Sequence, residues 1–529
     1  MNQSRNIKKT GGGRSLEEIL SRPIDRRAVL KGALAAAPLL LVGPSLLMPR
    51  RAEAQNIGPS TTTEPFMLPT IAGVETVAIL TVGDSIGGYR LVGLPDGLGA
   101  YKNGNGNFTL LVNHEIGATA GAVRAHGSKG AFVSRWTIDR ETLEVLEGED
   151  LTQSPSDVFL WDTTIGQYVA GTTAWQRLCS ADLAKEGAYY FRNRGTQDRL
   201  YLNGEETSQG RAFAHVATGE NAGEAWQLPR FGRIAYENAV ASPYPQAKTV
   251  VVLLDDSSIN TAPVAANFPS EVYVYIGEKT RVGHPIERAG LTNGSLYGLK
   301  VSAEGNPVTE ESNEFGLGNL TTGFIGKGKF TLHNFGDVSN WTAADLEQAS
   351  IDNGVTRFQR VEDGAWDPRE RQKNDFYFVT TASLVNNCRL WRLRFDDVQR
   401  PEKGGSIEML LKGDEGHKML DNVTIDRHGR ILMDEDPGNT SRTAKIWMYT
   451  ITTKKLVQVA EHTPKFFDPA ILANPDFITQ DEESSGLIDA ADILGDGWFL
   501  FDVQAHTAHA DPELVEPGQL LALFVPPKV

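Results

Sequence analysis

A short apolar strand that ends in acids, a turn rich in Pro, Gly, Asn and Ser, and a returning strand with aromatics recur along this chain. No other feature limits its fold as much. The clearest copy is RILMDEDPGNTSRTAKIWMYTI, Arg430 to Ile451, where Asp434, Glu435 and Asp436 close the first strand and Trp447 and Tyr449 mark the second. The outline returns in FTLLVNHE…GAFVSRWTI, RLYLNGEE…GRAFAHVAT, TVVVLLDDSS…EVYVYIGE, DFYFVTTAS…CRLWRLRF and GWFLFDVQAH…GQLLALFV. Together these make six hairpins, five with acid at or near the end of the first strand. A single hairpin is marginal in water, so tandem copies must stack on one another to bury their faces. The expected fold is all-β, a six-bladed β-propeller with helical and loop insertions, in which each blade feeds one strand end towards a shared axis.

The first residues read as an address. Asp25-Arg26-Arg27 leads into the apolar run GALAAAPLLLVGPSLLM, and Ala52-Glu53-Ala54 offers an A-x-A cleavage site. Residues 1–54 are therefore expected to be a twin-arginine signal peptide, with the twin-arginine export machinery as a partner and a periplasmic or secreted destination. The apolar run is shorter than the ~20 residues a spanning helix needs, and no later segment qualifies, so no transmembrane segment is expected after cleavage. The polar, Ser/Thr-rich stretch 55–67 reads as a flexible tether, and 68–529 as the propeller, with an insertion over 278–351. In that insertion WTAADLEQAS predicts a helix whose first turn suits Thr342 and Asp345.

A net charge of -16 argues against nucleic acid as a partner. With only Cys179 and Cys388 in 529 residues, disulfides do not form the framework. The excess acid instead falls at repeated places. The hairpin strands end on Glu115, Glu206, Asp256 and Glu435, and the strands that precede the hairpins carry Asp96, Cys179, Glu237, Glu362, Asp421 and Glu483 at matching positions. Carboxylates do not gather around a narrow axis unless cations offset their repulsion and lost hydration. The other reading is that each acid caps its own turn. Where acids are adjacent, alternation sends their side chains to opposite faces, and Glu206, Asp256 and Glu435 are preferred over their neighbours. Such carboxylates suit hard ions such as Ca²⁺, whereas a Cys179 thiolate suits a softer metal such as iron or zinc. His114 reads as a hydrogen-bonder. Arg360 lies two residues before Glu362, and either grips a phosphate bidentately or bridges to Glu362 itself. No G-x-S-x-G elbow, H-E-x-x-H helix or P-loop is present.

These residues, in order, resemble the PhoX-type alkaline phosphatase family of exported bacterial proteins. The resemblance rests on the twin-arginine leader and on LPDGLGA, LVNHE, a single cysteine before NGEE, RIAYENAVASP, RVEDGAWDP, MLDNVTID and DEDPG, and it spans the mature chain. It implies a six-bladed β-propeller with iron and calcium (Fe and Ca) in its central opening, acting on phosphate monoesters. By motif, Cys179 would bind iron, Glu237, Asp256, Glu362, Asp421 and Glu435 would be metal ligands, and Arg360 would contact the substrate phosphate. RVE stands where the family has RPE, and no second phosphate-binding arginine is evident. The expected function is thus an exported, metal-dependent phosphoric monoester hydrolase with a small phosphate ester as substrate. The alternatives are a calcium-dependent lactonase-like or esterase-like propeller, and a non-catalytic binding propeller stabilised by calcium.

Overall fold

Runs such as TVVVLL carry apolar residues at every position, the pattern of a strand covered on both faces. The computed structural model describes residues 56–257, 270–311, 326–471 and 474–529, and in it Lys248–Asp255 is buried at every position but its first. Strand dominates, at 47% against 9% helix, so helices serve only as connections. The expected leader lies outside the described residues.

Six mainly antiparallel sheets, the second, third and fourth joined by hydrogen bonds into one 15-stranded sheet, follow one another along the described chain. Their innermost strands are Pro95–Lys102, Leu178–Leu183, Arg233–Ala241, Val361–Trp366, Leu420–Ile425 and Glu482–Asp489. Each pairs with the strand expected to open its hairpin: Asn107–His114, Leu200–Val216, Lys248–Asp255, Asp375–Thr380, Arg430–Glu435 and Trp498–Ala505, of which Leu200–Val216 is one 17-residue strand that also takes in the expected returning strand. The six inner strands touch in cyclic order, the sixth returning to the first. Apolar clusters fill every gap between successive sheets, from Leu111 and Tyr201 between the first two to Leu500 and Leu110 between the last and the first. Trp391 is fully buried in one of them, and Trp391→Ala would cost about 3–5 kcal/mol.

Two long-range pairings tie the ends of the chain together. Glu75–Thr81 pairs with Gly518–Phe524, so the fourth strand of the last sheet comes from the start of the described chain. Met67–Pro69 pairs with Lys455–His462 in the fifth sheet. The stretch expected as a tether therefore lies against the fold from residue 56 onward. Phe66 packs on Phe466 and Phe467, and its N–H donates to Gln519 Oε1 at 2.7 Å. Apolar residues at the end of a polar run have found a pocket.

The expected insertion is partly structural. Ser295–Ala303 is the fourth strand of the third sheet, and Lys327–Gly336 pairs with it on one side and with Gly405–Leu411 of the fourth sheet on the other. The predicted helix is present as Ala343–Asn353. Thr342 accepts from Asp345 N–H, and Asp345 Oδ2 accepts from Thr342 N–H at 2.9 Å, a reciprocal cap. Among the described residues no helix is long and apolar enough to cross a membrane. Both cysteines are free and buried.

Candidate metal centre

Every inner strand slips register against its partner, and in five of the six the slip falls where the sequence places a metal-competent residue. The slips span Pro95/Leu98, Leu178/Ala181, Tyr236/Asn238, Val361/Gly364 and Leu420/Val423, and so bracket Asp96, Cys179, Glu237, Glu362 and Asp421. A bulge of this kind re-aims side chains, and lets successive residues turn to one side. Ser180, Asn238, Asp363 and Asn422, each next to one of these residues, accordingly bond across the hub. Asn238 Nδ2 donates to Asp363 Oδ1 at 2.7 Å and Ser180 Oγ to Asn422 Oδ1 at 3.2 Å. Four inner strands are entered through a non-glycine residue of positive φ, namely Leu94, Arg177, Arg360 and Met419 at 53°, 45°, 60° and 41°. Each stands two residues before Asp96, Cys179, Glu362 or Asp421. Such backbone costs about 1–3 kcal/mol at each residue and clusters at functional sites.

The side chains these devices present form four overlapping groups that could hold a metal ion: Asp96, Glu115 and Cys179; Cys179, Glu206 and Glu237; Glu237, Glu362 and Asp421; and Asp421, Asp436 and Glu483. Within each group the ligating atoms lie inside 4.8 Å of one another. Each group shares a member with the next, so the series arcs around the hub. The Cys179 thiol lies 3.0 Å from Glu237 Oε2 and 3.4 Å from Asp96 Oδ2. Burial first, and then the neighbouring carboxylates, push Asp96, Glu237, Glu362 and Asp421 well above the ordinary carboxyl range. Burial lifts Glu206 to about 8, although Arg177 draws it down. The same burial raises the Cys179 thiol. Asp96 Oδ1 and Glu237 Oε1 are buried without a hydrogen-bond partner. Acids that repel one another in this way become compatible with ionisation only when a cation joins them.

Two arginines flank the arc. Arg360 grips Asp256 in a two-bond fork, Nε to Oδ1 at 3.0 Å and Nη2 to Oδ2 at 2.6 Å, and reaches Glu362 Oε1 at 3.1 Å. Arg177 reaches Glu115 Oε1 at 2.7 Å and also pairs with Glu206. About half of the Arg177 side chain is exposed and about a quarter of Arg360, so both edge the site while touching its acids.

Of the residues singled out in the sequence, Glu115, Cys179, Glu206, Glu237, Glu362 and Asp421 come together in these groups, joined by Asp96 and Glu483 from the matching positions. Glu206 lies in one of the groups, whereas its neighbour Glu205 accepts a fork from Arg211. Asp256 stands beside the arc with both oxygens on Arg360 and belongs to none of the groups. Glu435, expected as a metal ligand, likewise belongs to none of these groups. It accepts from Arg442 Nε at 3.0 Å, Trp447 Nε1 at 2.8 Å and Lys418 N–H at 2.8 Å, and Asp436 joins the arc in its place. His114 is a satisfied hydrogen-bonder, 2.8 Å from Ser134 Oγ and 3.2 Å from Gly93 O. Sequence reasoning missed Arg177, Gln504 and His506. Gln504 Nε2 donates to Asp96 and Glu115. His506 bridges Glu483 and Glu516, and although burial works against its charge, those two acids push it up to about 12.

No family model and no curated protein matches this chain in sequence. Among solved structures it is similar to Pseudomonas fluorescens PhoX in complex with vanadate, a transition state analogue. The TM-score is 0.59 at 12% identity, over 87% of this chain and 96% of that one. At this identity the likeness speaks for a shared fold. Weaker likenesses, with TM-scores of 0.38 and 0.36 at 8% identity, are to a Xanthomonas campestris gluconolactonase and a Fusarium graminearum α-L-arabinofuranosidase. They cover 87% and 84% of this chain, and 95% and 97% of the other chains.

Proposed function

We propose that the six sheets are the blades of a β-propeller and that its hub hydrolyses phosphate monoesters with the help of bound iron and calcium. The observation that carries this reading is the arc of four overlapping acid groups with an arginine at each flank. The residues fit metals on their own terms. Orphaned buried oxygens on Asp96 and Glu237 need a partner, and the donor set is mixed. Cys179 belongs to two groups and suits iron, whereas the two groups built on Asp421 are all oxygen and suit calcium. Asp96, Glu115, Cys179, Glu206 and Glu237 would hold the softer ion, and Glu237, Glu362, Asp421, Asp436 and Glu483 the harder ones. When bound, such ions supply Lewis-acid polarisation of phosphoryl oxygens.

The chain's own groups then act on the substrate. Arg360 spends its Nε and Nη2 on Asp256, which holds the guanidinium in plane and leaves the Nη1 side to donate to a phosphate oxygen. Arg177 supplies the second cation that was not evident in the sequence, and its exposure leaves it open to an incoming phosphate. Asp363, Asn238, Ser180 and Asn422 form a hydrogen-bonded group next to the site. The reading includes removal of residues 1–54 and export by the twin-arginine route to the periplasm or beyond. PhoX holds vanadate, so inorganic vanadate is a suitable probe. The metal-loaded chain is expected to hydrolyse an aryl phosphate and to be inhibited by vanadate. Absence of phosphomonoesterase activity in a chain shown to carry both metals would refute this reading.

A further inference from the structure

Arg360 takes a left-handed backbone conformation, φ 60°, that an arginine adopts only when its surroundings hold it there. Glu311, which arrives from the inserted segment, supplies much of that hold. Its side chain is wholly buried. Oε2 accepts the backbone N–H of Gln359 at 2.9 Å, and Oε1 accepts the Thr380 hydroxyl at 3.1 Å and pairs with the buried guanidinium of Arg389. The Glu311 backbone completes the clasp: its N–H donates to Arg357 O at 2.8 Å, and its carbonyl accepts from Gln359 Nε2 at 3.2 Å. From the other side, Thr381 N–H donates to Arg360 O and Ala382 N–H to Gln359 O, both at 2.9 Å. Ser270 Oγ accepts the N–H of Val361 at 2.7 Å. The residues before and after Arg360 are thus each anchored by a buried acceptor from a distant segment.

A buried ion pair is a poor way to gain stability, since apolar residues of the same volume often serve as well. Here one oxygen of the pair is spent on the peptide group that precedes the strained arginine. We propose that Glu311 is a positioning residue, which fixes the left-handed turn so that the Arg360 fork meets Asp256, Glu362 and an incoming phosphate. Its consequence for turnover rests on the phosphatase reading above; the clasp itself does not. Glu311 touches no reacting atom and acts through the Gln359–Arg360 peptide. In this role the inserted segment is a strut for the site.

Glu311→Gln keeps the side chain's size but lacks a second carboxylate oxygen, so it cannot serve Gln359 and Arg389 together. In the metal-loaded enzyme, kcat/KM for an aryl phosphate is expected to fall roughly 10- to 100-fold, the cost of a misplaced binding group. Iron and calcium content should stay at the wild-type level. In an Arg360→Lys background the same change should cost less than about twofold more, because no fork is left to aim. Wild-type turnover in Glu311→Gln, additive losses in the double variant, or a matching loss of metal would overturn the positioning role and leave the phosphatase reading standing. A wild-type chain that carries both metals and hydrolyses no phosphomonoester would overturn both. If Glu311→Gln does not fold, Glu311→Gln with Arg389→Met removes the buried cation that Glu311 faces, and the same outcomes decide.

Discussion

Acids gather towards the starting end of the inner strands and again around a cavity on their far side, and the two regions treat them in opposite ways. At the starting end, Asp96, Glu237, Glu362 and Asp421 face other carboxylates, and one oxygen each of Asp96 and Glu237 has no donor. At the far end, around a cavity of about 620 Å³, the acids have donors of their own. Asp182 accepts Ala241 N–H at 2.9 Å, Asp363 accepts Val423 N–H at 3.2 Å, and Asp489 accepts Ala491 N–H at 3.0 Å. Burial lifts these three only to about 7, 7 and 6. A carboxylate supplied with backbone N–H groups is content as it stands, whereas carboxylates packed on carboxylates call for a cation. The supply of donors separates the lining of that cavity from the acid groups that could hold a metal ion.

The largest effect should come from the arginine beside the arc. Arg360→Ala is expected to lower kcat by about 10²–10³ with the fold intact by circular dichroism, since one charged donor to a developing oxyanion is typically worth that much. Wild-type turnover would remove the starting end from the chemistry. Next, Asp421→Asn, which strikes two groups at once, should weaken calcium binding in titration calorimetry by at least the 10- to 100-fold that loss of a metal-site support costs. Asp489→Asn at the far end should leave it unchanged, and equal effects would erase the contrast between the ends.

The pH response has a definite sign. Burial and mutual repulsion raise the arc's acids in the folded state, Glu206 to about 8, so the folded chain keeps protons that the unfolded chain releases near pH 4.5. Metal-stripped protein should therefore melt at progressively lower temperature as pH rises through the folded values, and be less stable at about pH 9 than at about pH 6. Metal-loaded protein should show the opposite trend, because its ligands must be deprotonated to bind. The smallest effect is at Glu435. Glu435→Gln loosens Arg442 and should cost about 1 kcal/mol in denaturant unfolding with no change in metal content, whereas loss of metal would restore Glu435 to the arc.

Much of the sheet order was legible because strands such as Lys248–Asp255, Asp375–Thr380, Arg430–Glu435 and Trp498–Ala505 are buried almost throughout, so their apolar runs are nearly unbroken. The matching positions of Cys179, Glu237, Glu362 and Asp421 were legible because they repeat against the hairpins. The choice among Asp434, Glu435 and Asp436 was not legible for a physical reason. Alternation says that adjacent acids face opposite ways, but which one faces the hub depends on register at the end of the strand, and local sequence does not carry that. Arg177 had a signal that went unused: it precedes Cys179 by two residues, as Arg360 precedes Glu362. The pairing of Glu75–Thr81 with Gly518–Phe524 joins segments more than 430 residues apart, and nothing local in either announces it.

The most direct test of the account is elemental analysis of the purified full chain from a host replete in iron and calcium. The arc of acids and one thiol predicts both metals bound, with the iron lost in Cys179→Ser and the calcium retained. A chain that carries neither metal, and whose melting temperature at alkaline pH is indifferent to added calcium and iron, would contradict it.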